Sequence, residues 1–162
     1  MKAFKSFVFA ILLFVAIFSF NSSSRLMGYS VVLWSIPEQN LTDGMVVPVY
    51  IKSNITQSYV IGIPETDQKC EVPLWQISEP ASKKEVKQLS EKYNEYQRKY
   101  AKVKLDGLPI RHEPVNTARQ VYRLRENEII RVLYKGEGAA VMTGKTALQG
   151  DWLRVLTNDG TL

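Results

Sequence analysis

The chain reads Leu108-Pro109-Ile110-Arg111-His112-Glu113-Pro114 at the start of its last third, and three further patterns follow in order. Residues 121–134 carry apolar side chains at near-alternate positions, as expected for two half-buried strands. Gly150-Asp151-Trp152-Leu153-Arg154-Val155 indicates another short strand, and Asp159-Gly160-Thr161 indicates a turn. Closely spaced strands and turns of this kind predict a small β-domain over residues 106–162.

This succession resembles the bacterial SH3 domain in the order and spacing of its elements. Leu108 to Arg111 corresponds to the family's first strand, and Trp152 lies in its Gly-x-Trp strand. Asn127 stands where the family usually has a glycine, and Asn tolerates the left-handed conformation that such a turn requires. The family continues into a closing strand after its Asp-Gly-Thr, whereas this sequence stops at Leu162. We therefore expect either a fragment or truncated reading frame, or a barrel that a partner's strand completes.

The resemblance also implies a ligand site. Related barrels bind short peptides, including cell-wall peptides in some bacterial members, in a shallow groove between the long first loop and neighbouring strands. Tyr and Trp offer rigid contact area with a polar tip, and arginine can bind a carboxylate through two hydrogen bonds. Carried onto matching positions, the candidate ligand-binding residues are Arg111, His112, Tyr122, Tyr134 and Trp152. Each also has a structural alternative, since the aromatic rings could pack in the core and the arginine could bind loop carbonyls.

Short strands separated by turn residues are also typical of residues 29–78. Pro37 interrupts an extended segment, and Asp43-Gly44 marks a turn before an apolar stretch. Residues 43–50 resemble the opening of an SH3-like unit, although no later Gly-x-Trp motif follows within this part. We therefore predict a divergent small β-barrel here.

Residues 82–105 carry the pattern of one amphipathic helix between the two β-domains. Ser82 and Glu85 form a capping-box pair, and apolar side chains then recur at intervals of three and four up to Val103. Three tyrosines on this stripe either pack on the flanking domains or form a short coiled-coil dimer seam, because the spacing also fits heptad positions. The predicted fold class is thus mainly β, with two small SH3-like β-barrels, the N-terminal one divergent, joined by one amphipathic helix.

The N-terminal sequence indicates export. Lys2 and Lys5 precede an uncharged, largely apolar run over residues 6–20, and small polar residues follow up to Ser24. This order is typical of a secretory signal, which we place at residues 1–24. The run is shorter than the roughly 20 apolar residues that a spanning helix needs, but an uncleaved anchor at 6–20 stays open. We expect a periplasmic or cell-surface protein.

Composition and rare residues exclude several kinds of site. The 162 residues are 45% hydrophobic and 23% charged, which is typical of a folded protein, and the net charge of +5 is spread along the chain. His112 is the sole histidine and Cys70 the sole cysteine, so neither a catalytic pair nor a metal cluster is expected. Gly144-Lys145-Thr146 lacks the glycine that a phosphate-binding loop has five residues earlier, and we interpret it as a turn. We expect no catalytic residues, no cofactor and no metal.

These observations predict an exported, non-enzymatic binding module of the bacterial cell envelope. It would dock a peptide, a protein or a cell-wall component through its aromatic groove, with no nucleic-acid partner and with membrane contact only through the N-terminal segment. Two alternatives stay open. The chain could be an assembly protein that dimerises through the helix at 82–105, or an accessory region of a longer cell-wall hydrolase.

Overall fold

A computed structural model describes residues 25–148 and 151–162. The signal segment predicted at residues 1–24 and the predicted strand residue Gly150 lie outside the described residues. Within the two described ranges the chain is mainly β with one short α-helix, and no helix there is long and apolar enough to cross a membrane.

The first sheet contains four antiparallel strands in sequence order. They are β1 (Gly28–Val31), β2 (Val46–Ser53), β3 (Ser58–Gly62) and β4 (Lys69–Pro73). β-Branched and aromatic residues favour these strands, and in β2 alternate side chains such as Val47 and Val49 are completely buried. The buried members of the first core are Val32, Leu41, Val47, Val49, Tyr59, Ile61, Val72 and Ile77.

The chain after β4 returns to the opposite edge of the same sheet. A three-residue 3-10 turn, Leu74–Gln76, leads into residues 77–81. There Tyr29 and Ala81 exchange two backbone hydrogen bonds of 2.9 Å, and Ser78 N–H donates to the Val31 carbonyl at 2.8 Å. Because so short a turn connects the two edges, the sheet curls around its apolar core.

The helix is shorter than predicted. α1 spans Lys83–Tyr93, and Ser82 and Glu85 form the predicted capping box at its start. The prediction of a helix to residue 105 was wrong, because α1 gives way to a 3-10 turn at Asn94–Tyr96 and tertiary hydrogen bonds then replace helical ones at residues 97 and 98. Arg98 adopts a left-handed conformation (φ 58°), and its backbone N–H donates to the Asp43 carboxylate at 2.8 Å. The apolar periodicity therefore continues into a strand.

Residues 100–157 form three small sheets instead of one continuous sheet. The largest sheet has the order β11-β8-β5 and contains β5 (Tyr100–Lys102), β8 (Ile129–Gly136) and β11 (Trp152–Thr157). In the second sheet β6 (Leu108–Arg111) pairs with β7 (Gln120–Leu124), and in the third β9 (Val141–Thr143) pairs with β10 (Thr146–Leu148). Asn127 has a φ of 66° in the turn between β7 and β8, which confirms the predicted left-handed turn residue. Gly144 and Lys145 form the β9–β10 turn, as predicted.

The two halves of the chain share a buried contact. Leu33 of the first half packs with Leu133 and Leu156 of the second, and partly buried aromatic residues surround them. Asp43 and Arg131, which are 0% and 1% exposed, form an ion pair across this contact. Arg131 Nη1 also donates to the Lys99 carbonyl at 3.0 Å. The first sheet and the sheets of residues 100–157 are therefore packed against each other, and the helix does not hold them apart.

Candidate functional site

A cleft of about 410 Å³ lies between β6 and β11 in the second half. Each of these strands pairs with one described neighbour only, β6 with β7 and β11 with β8, so both strands have an open edge. The cleft contacts consecutive residues of each, 108–111 and 152–155, and continues along the loop to residue 114. Successive side chains of a strand point to opposite faces, so a cleft that meets every residue meets the strand's edge.

The floor of the cleft is apolar. Ile110, Leu124 and Ile130 are each at least 90% buried, and together with Val103 they form the second core, against which Val155 packs. Leu108 and Leu153 stand at the rim and are 42% and 45% exposed. A concave apolar surface with exposed apolar rims is suited to binding another apolar group.

Two aromatic rings line the cleft. Trp152 is held by a hydrogen bond of 2.8 Å from its indole Nε1–H to the Ala139 carbonyl. Tyr134 stacks on Tyr93 of α1 with ring centroids 6.0 Å apart, and Lys92 Nζ lies 3.8 Å from the centre of the Tyr134 ring. Burial raises the pKa of Tyr93, and the neighbouring Tyr134 adds to this effect. The helix therefore fixes the orientation of one wall of the cleft.

Charged groups also line the cleft. Arg111 donates from Nη1 to the Ala118 carbonyl at 2.8 Å, which orders the loop after β6. Asp151 is paired with Lys135 at 2.7 Å, and this hydrogen bond raises the pKa of Lys135. Among the described residues neither Arg111 nor Arg154 has an ion-pair partner, so the cleft retains two uncompensated guanidinium groups beside its apolar floor. Such groups can bind a carboxylate.

The structure brings four of the five predicted ligand-binding residues together. Arg111, His112, Tyr134 and Trp152 all line the cleft. Tyr122 does not. Its ring packs against the second core, and its hydroxyl donates to Glu128 Oε1 at 3.1 Å.

Sequence reasoning missed the parts of the site that depend on tertiary structure. Packing of the stripe tyrosines on the flanking domains was one predicted alternative, but the contact of Tyr93 and Lys92 with Tyr134 was not predicted, because nothing local indicates which residue α1 lies against. The apolar floor was partly detectable, since alternation in residues 121–134 already identifies Leu124 and Ile130 as inward-facing positions. Val155 belongs to the predicted Gly-x-Trp strand, but its position at an open edge depends on the pairing of distant strands.

The chemical groups at the cleft are suited to binding. Arginine, aromatic and aliphatic side chains provide charge, rigid area and apolar area. His112 is solvent-exposed and its Nδ1 lies 3.9 Å from Glu113 Oε1. Within residues 25–148 and 151–162, no cluster of three or more His, Cys, Asp or Glu side chains could hold a metal ion.

Comparisons with known proteins find a match to a family model in one part of the chain. Residues 27–95 match the model of the N-terminal SH3 domain of the TP0260 family. An uncharacterized protein of Treponema pallidum (strain Nichols) is 46% identical over 140 residues, which are 86% of this chain and 31% of the relative. The chain thus spans about a third of the length of that relative. No solved structure matches the chain. The first sheet, its returning segment and α1, which occupy the matched residues, therefore form an SH3-like domain.

Proposed function

We propose that the protein is an exported, non-catalytic binding module of the cell envelope that docks an extended peptide in the cleft between β6 and β11. The SH3-like domain at residues 27–95 supports a protein- or peptide-binding role in general terms. In this proposal the first unit is a packed support, and residues 106–162 form a second SH3-like unit that carries the ligand site. Export rests on the signal-like sequence of residues 1–24.

The observation that carries the proposal is the combination of an apolar floor with aromatic and cationic side chains that line the same cleft. Ile110 and Leu124 supply a buried apolar surface, Trp152 supplies a rigid wall, and Arg111 supplies charge. Binding energy in interfaces is concentrated on Trp, Tyr and Arg side chains that stand beside apolar contacts. The ligand-contacting residues are Arg111, His112, Tyr134 and Trp152.

A binding measurement on the 162-residue chain tests the proposal. A display library of seven-residue peptides is selected against the protein, and the affinity of the strongest binder is measured by calorimetry. Trp152→Ala removes one wall and is expected to weaken binding about 30-fold or more, the loss that an aromatic anchor of about 2 kcal/mol represents.

A matched pair of substitutions separates the cleft from general surface effects. Leu108→Glu places a charge at the cleft rim, whereas Ile55→Glu changes an exposed apolar side chain at the β2–β3 turn. The first substitution is expected to abolish binding and the second to leave it unchanged. Equal effects of the two substitutions, or failure to select any peptide, would contradict the proposal.

The dimer alternative has little support in the structure. A dimer seam requires that the tyrosines of the helical stripe are free of contacts within the chain. Tyr93 stacks on Tyr134, and Tyr100 forms an edge-to-face contact with Trp34 at 5.3 Å. These rings are used intramolecularly, so a helix seam would have to break existing contacts.

A further inference from the structure

The outer face of the first sheet is formed by side chains of β1 and β2. Val47 points into the first core, so its neighbour Pro48 points outward. Pro48 and Tyr50 share this outer face, because a Cβ on Gly62 of β3 would lie 2.9 Å from Pro48 Cγ and 3.1 Å from Tyr50 Cε2. Tyr29 lies opposite Pro48 in the β1–β2 ladder and therefore points the same way.

Exposed apolar side chains lie at one corner of this sheet. Met27 N–H donates to the Val49 carbonyl at 2.8 Å, so the residues just before β1 lie beside β2. Leu26 and Met27 are 44% and 52% exposed, and Ile51, two residues after Val49, is 47% exposed. Exposed apolar side chains gathered at one place are suited to contact with a partner or a membrane.

Two lysine–tyrosine pairs border the same corner. Lys83 Nζ lies 5.5 Å from the centre of the Tyr29 ring, and Lys69 Nζ lies 4.3 Å from the centre of the Tyr50 ring. Tyrosine is enriched at the boundary of a membrane, where its ring lies at the level of the lipid headgroups. A lysine beside it can keep its alkyl chain on apolar surface while the ammonium group reaches the lipid phosphates.

The first turns of α1 add positive charge next to this face. The helix begins directly after the segment that pairs with β1. Lys84 and Lys87 are exposed there. The acidic neighbours are Glu79 and Glu85, and the Glu85 carboxylate accepts hydrogen bonds from the hydroxyl and the N–H of Ser82 at 2.6 and 3.0 Å. Lysines outnumber carboxylates at this end of the helix, which favours an anionic partner.

The apolar run at residues 6–20 is joined to this face by a short connection. Four residues separate the run from Arg25. Four extended residues span at most about 14 Å. A membrane that held the run would therefore lie close to Arg25, and the exposed side chains of Leu26 and Met27 would meet its surface.

We propose that residues 6–20 remain in the membrane and that the outer face around Met27 lies on its surface, with the lysines of α1 bound to anionic lipid headgroups. This adds a second membrane contact to the N-terminal segment, and it is separate from the peptide cleft in the second half. Buried apolar side chains and lysines then act together, as in other proteins that lie on a bilayer. Each lysine near an anionic surface strengthens such a contact about fivefold.

Methionine-methyl NMR on the 162-residue chain tests the contact. The chain carries isotope-labelled methionine methyl groups and is inserted into lipid nanodiscs that bear a nitroxide on a fraction of the headgroups. Met142, 55% exposed on β9, is the internal control for Met27. We expect the nitroxide to broaden the Met27 signal at least about twice as strongly in phosphatidylglycerol discs as in phosphatidylcholine discs, and Met142 equally in both. Equal broadening of Met27 in the two lipids would reflect the tether alone and would overturn headgroup binding.

Lysine variants identify the charges that hold the face on the membrane. Lys84→Gln with Lys87→Gln removes two charges from the proposed contact, and Lys104→Gln with Lys145→Gln removes two exposed charges elsewhere. The first pair should weaken the contact about 25-fold, so that Met27 in phosphatidylglycerol discs is broadened no more than in phosphatidylcholine discs. The second pair should leave the broadening unchanged, and equal effects of the two pairs would count against the proposal.

Two further results would overturn the proposal. One is an exported protein whose intact mass corresponds to a chain that begins at Arg25, because the membrane segment would then be absent. The other is binding of soluble polyphosphate in calorimetry without any effect of lipid charge on Met27, since the face would then serve a soluble polyanion. An intact mass that retains residues 6–20, together with the lipid-dependent broadening of Met27, is the result we expect.

Discussion

Replacing Arg131 by methionine is expected to destabilise the protein by about 3–5 kcal/mol, the range for removing one partner of a buried ion pair. The Asp43 carboxylate would remain 0% exposed without its cation. It would keep hydrogen bonds from Ser35 Oγ (2.7 Å) and Arg98 N–H (2.8 Å), so the loss should not exceed this range. Small domains are stable by only about 5–15 kcal/mol in total, so this variant should be close to its unfolding threshold.

Urea denaturation followed by tryptophan fluorescence measures this loss. Trp34 and Trp75 lie in the contact between the two halves, with ring centroids 5.8 Å apart, so their emission reports on that contact. Arg119→Met is the control, because Arg119 is exposed, and it should change the free energy of unfolding by no more than about 0.5 kcal/mol.

The double variant Arg131→Met with Asp43→Asn sharpens the result. Neutralising Asp43 removes the unpaired charge, so the double variant should be less destabilised than the sum of the two single variants, by about 0.5–3 kcal/mol. A loss below about 1 kcal/mol for Arg131→Met, or strict additivity in the double variant, would refute the view that this pair holds the two halves together.

Other substitutions test further parts of the account. Tyr93→Ala removes the ring stacked on Tyr134, so it should weaken peptide binding several-fold. It should also lower the free energy of unfolding by about 1–3 kcal/mol in a urea titration. Unchanged binding would show that α1 does not position the cleft wall. Asn127→Ala should cost about 1–2 kcal/mol because alanine is strained at positive φ, whereas Asn127→Gly should be tolerated, and equal midpoints for the two would count against the left-handed turn. Hydrogen bonds from Thr157 and Thr161 lower the pKa of Asp159, so the stabilising effect of its carboxylate is present above the unfolded pKa and is lost as pH falls through the lower folded pKa. Asp159→Asn should therefore be destabilising at pH 7 and nearly neutral at strongly acidic pH. A difference in melting temperature that does not depend on pH would contradict this. Gly160→Ala should also destabilise the contact between the halves, since a Cβ there would lie 2.6 Å from Trp75 Cβ and φ is +91°; a melting temperature equal to that of the wild type would be evidence against the contact.

Local chemistry was sufficient to predict the elements that local interactions determine. The capping box at Ser82, the left-handed turn at Asn127 and the Gly144-Lys145 turn depend on neighbouring residues, and each is present as predicted. The end of the helix was wrong for the opposite reason. Residues 97 and 98 are held by Asp43, more than 50 positions away in the sequence, and no local pattern contains that information.

The residues of the candidate site also fall into those that the sequence predicts and those that only tertiary packing determines. The aromatic residues Tyr134 and Trp152 could be proposed from a resemblance in motif order, and they line the cleft. Tyr122 was proposed on the same grounds, but its hydroxyl is bonded to Glu128, away from the cleft. Arg131 lies in a stretch of apolar strand residues and gives no signal of its buried partner. Packing between the two halves determines which residues face each other, and the order of motifs in the sequence does not specify that packing.

The most direct test of the peptide site is an amide chemical-shift titration of isotope-labelled protein with the selected heptapeptide. The account predicts that the largest changes occur at the Val155 amide, at the Trp152 indole and along residues 108–114, all of which border the cleft. Changes confined to the first sheet, around β2 and β3, with Val155 and Trp152 unaffected, would contradict it.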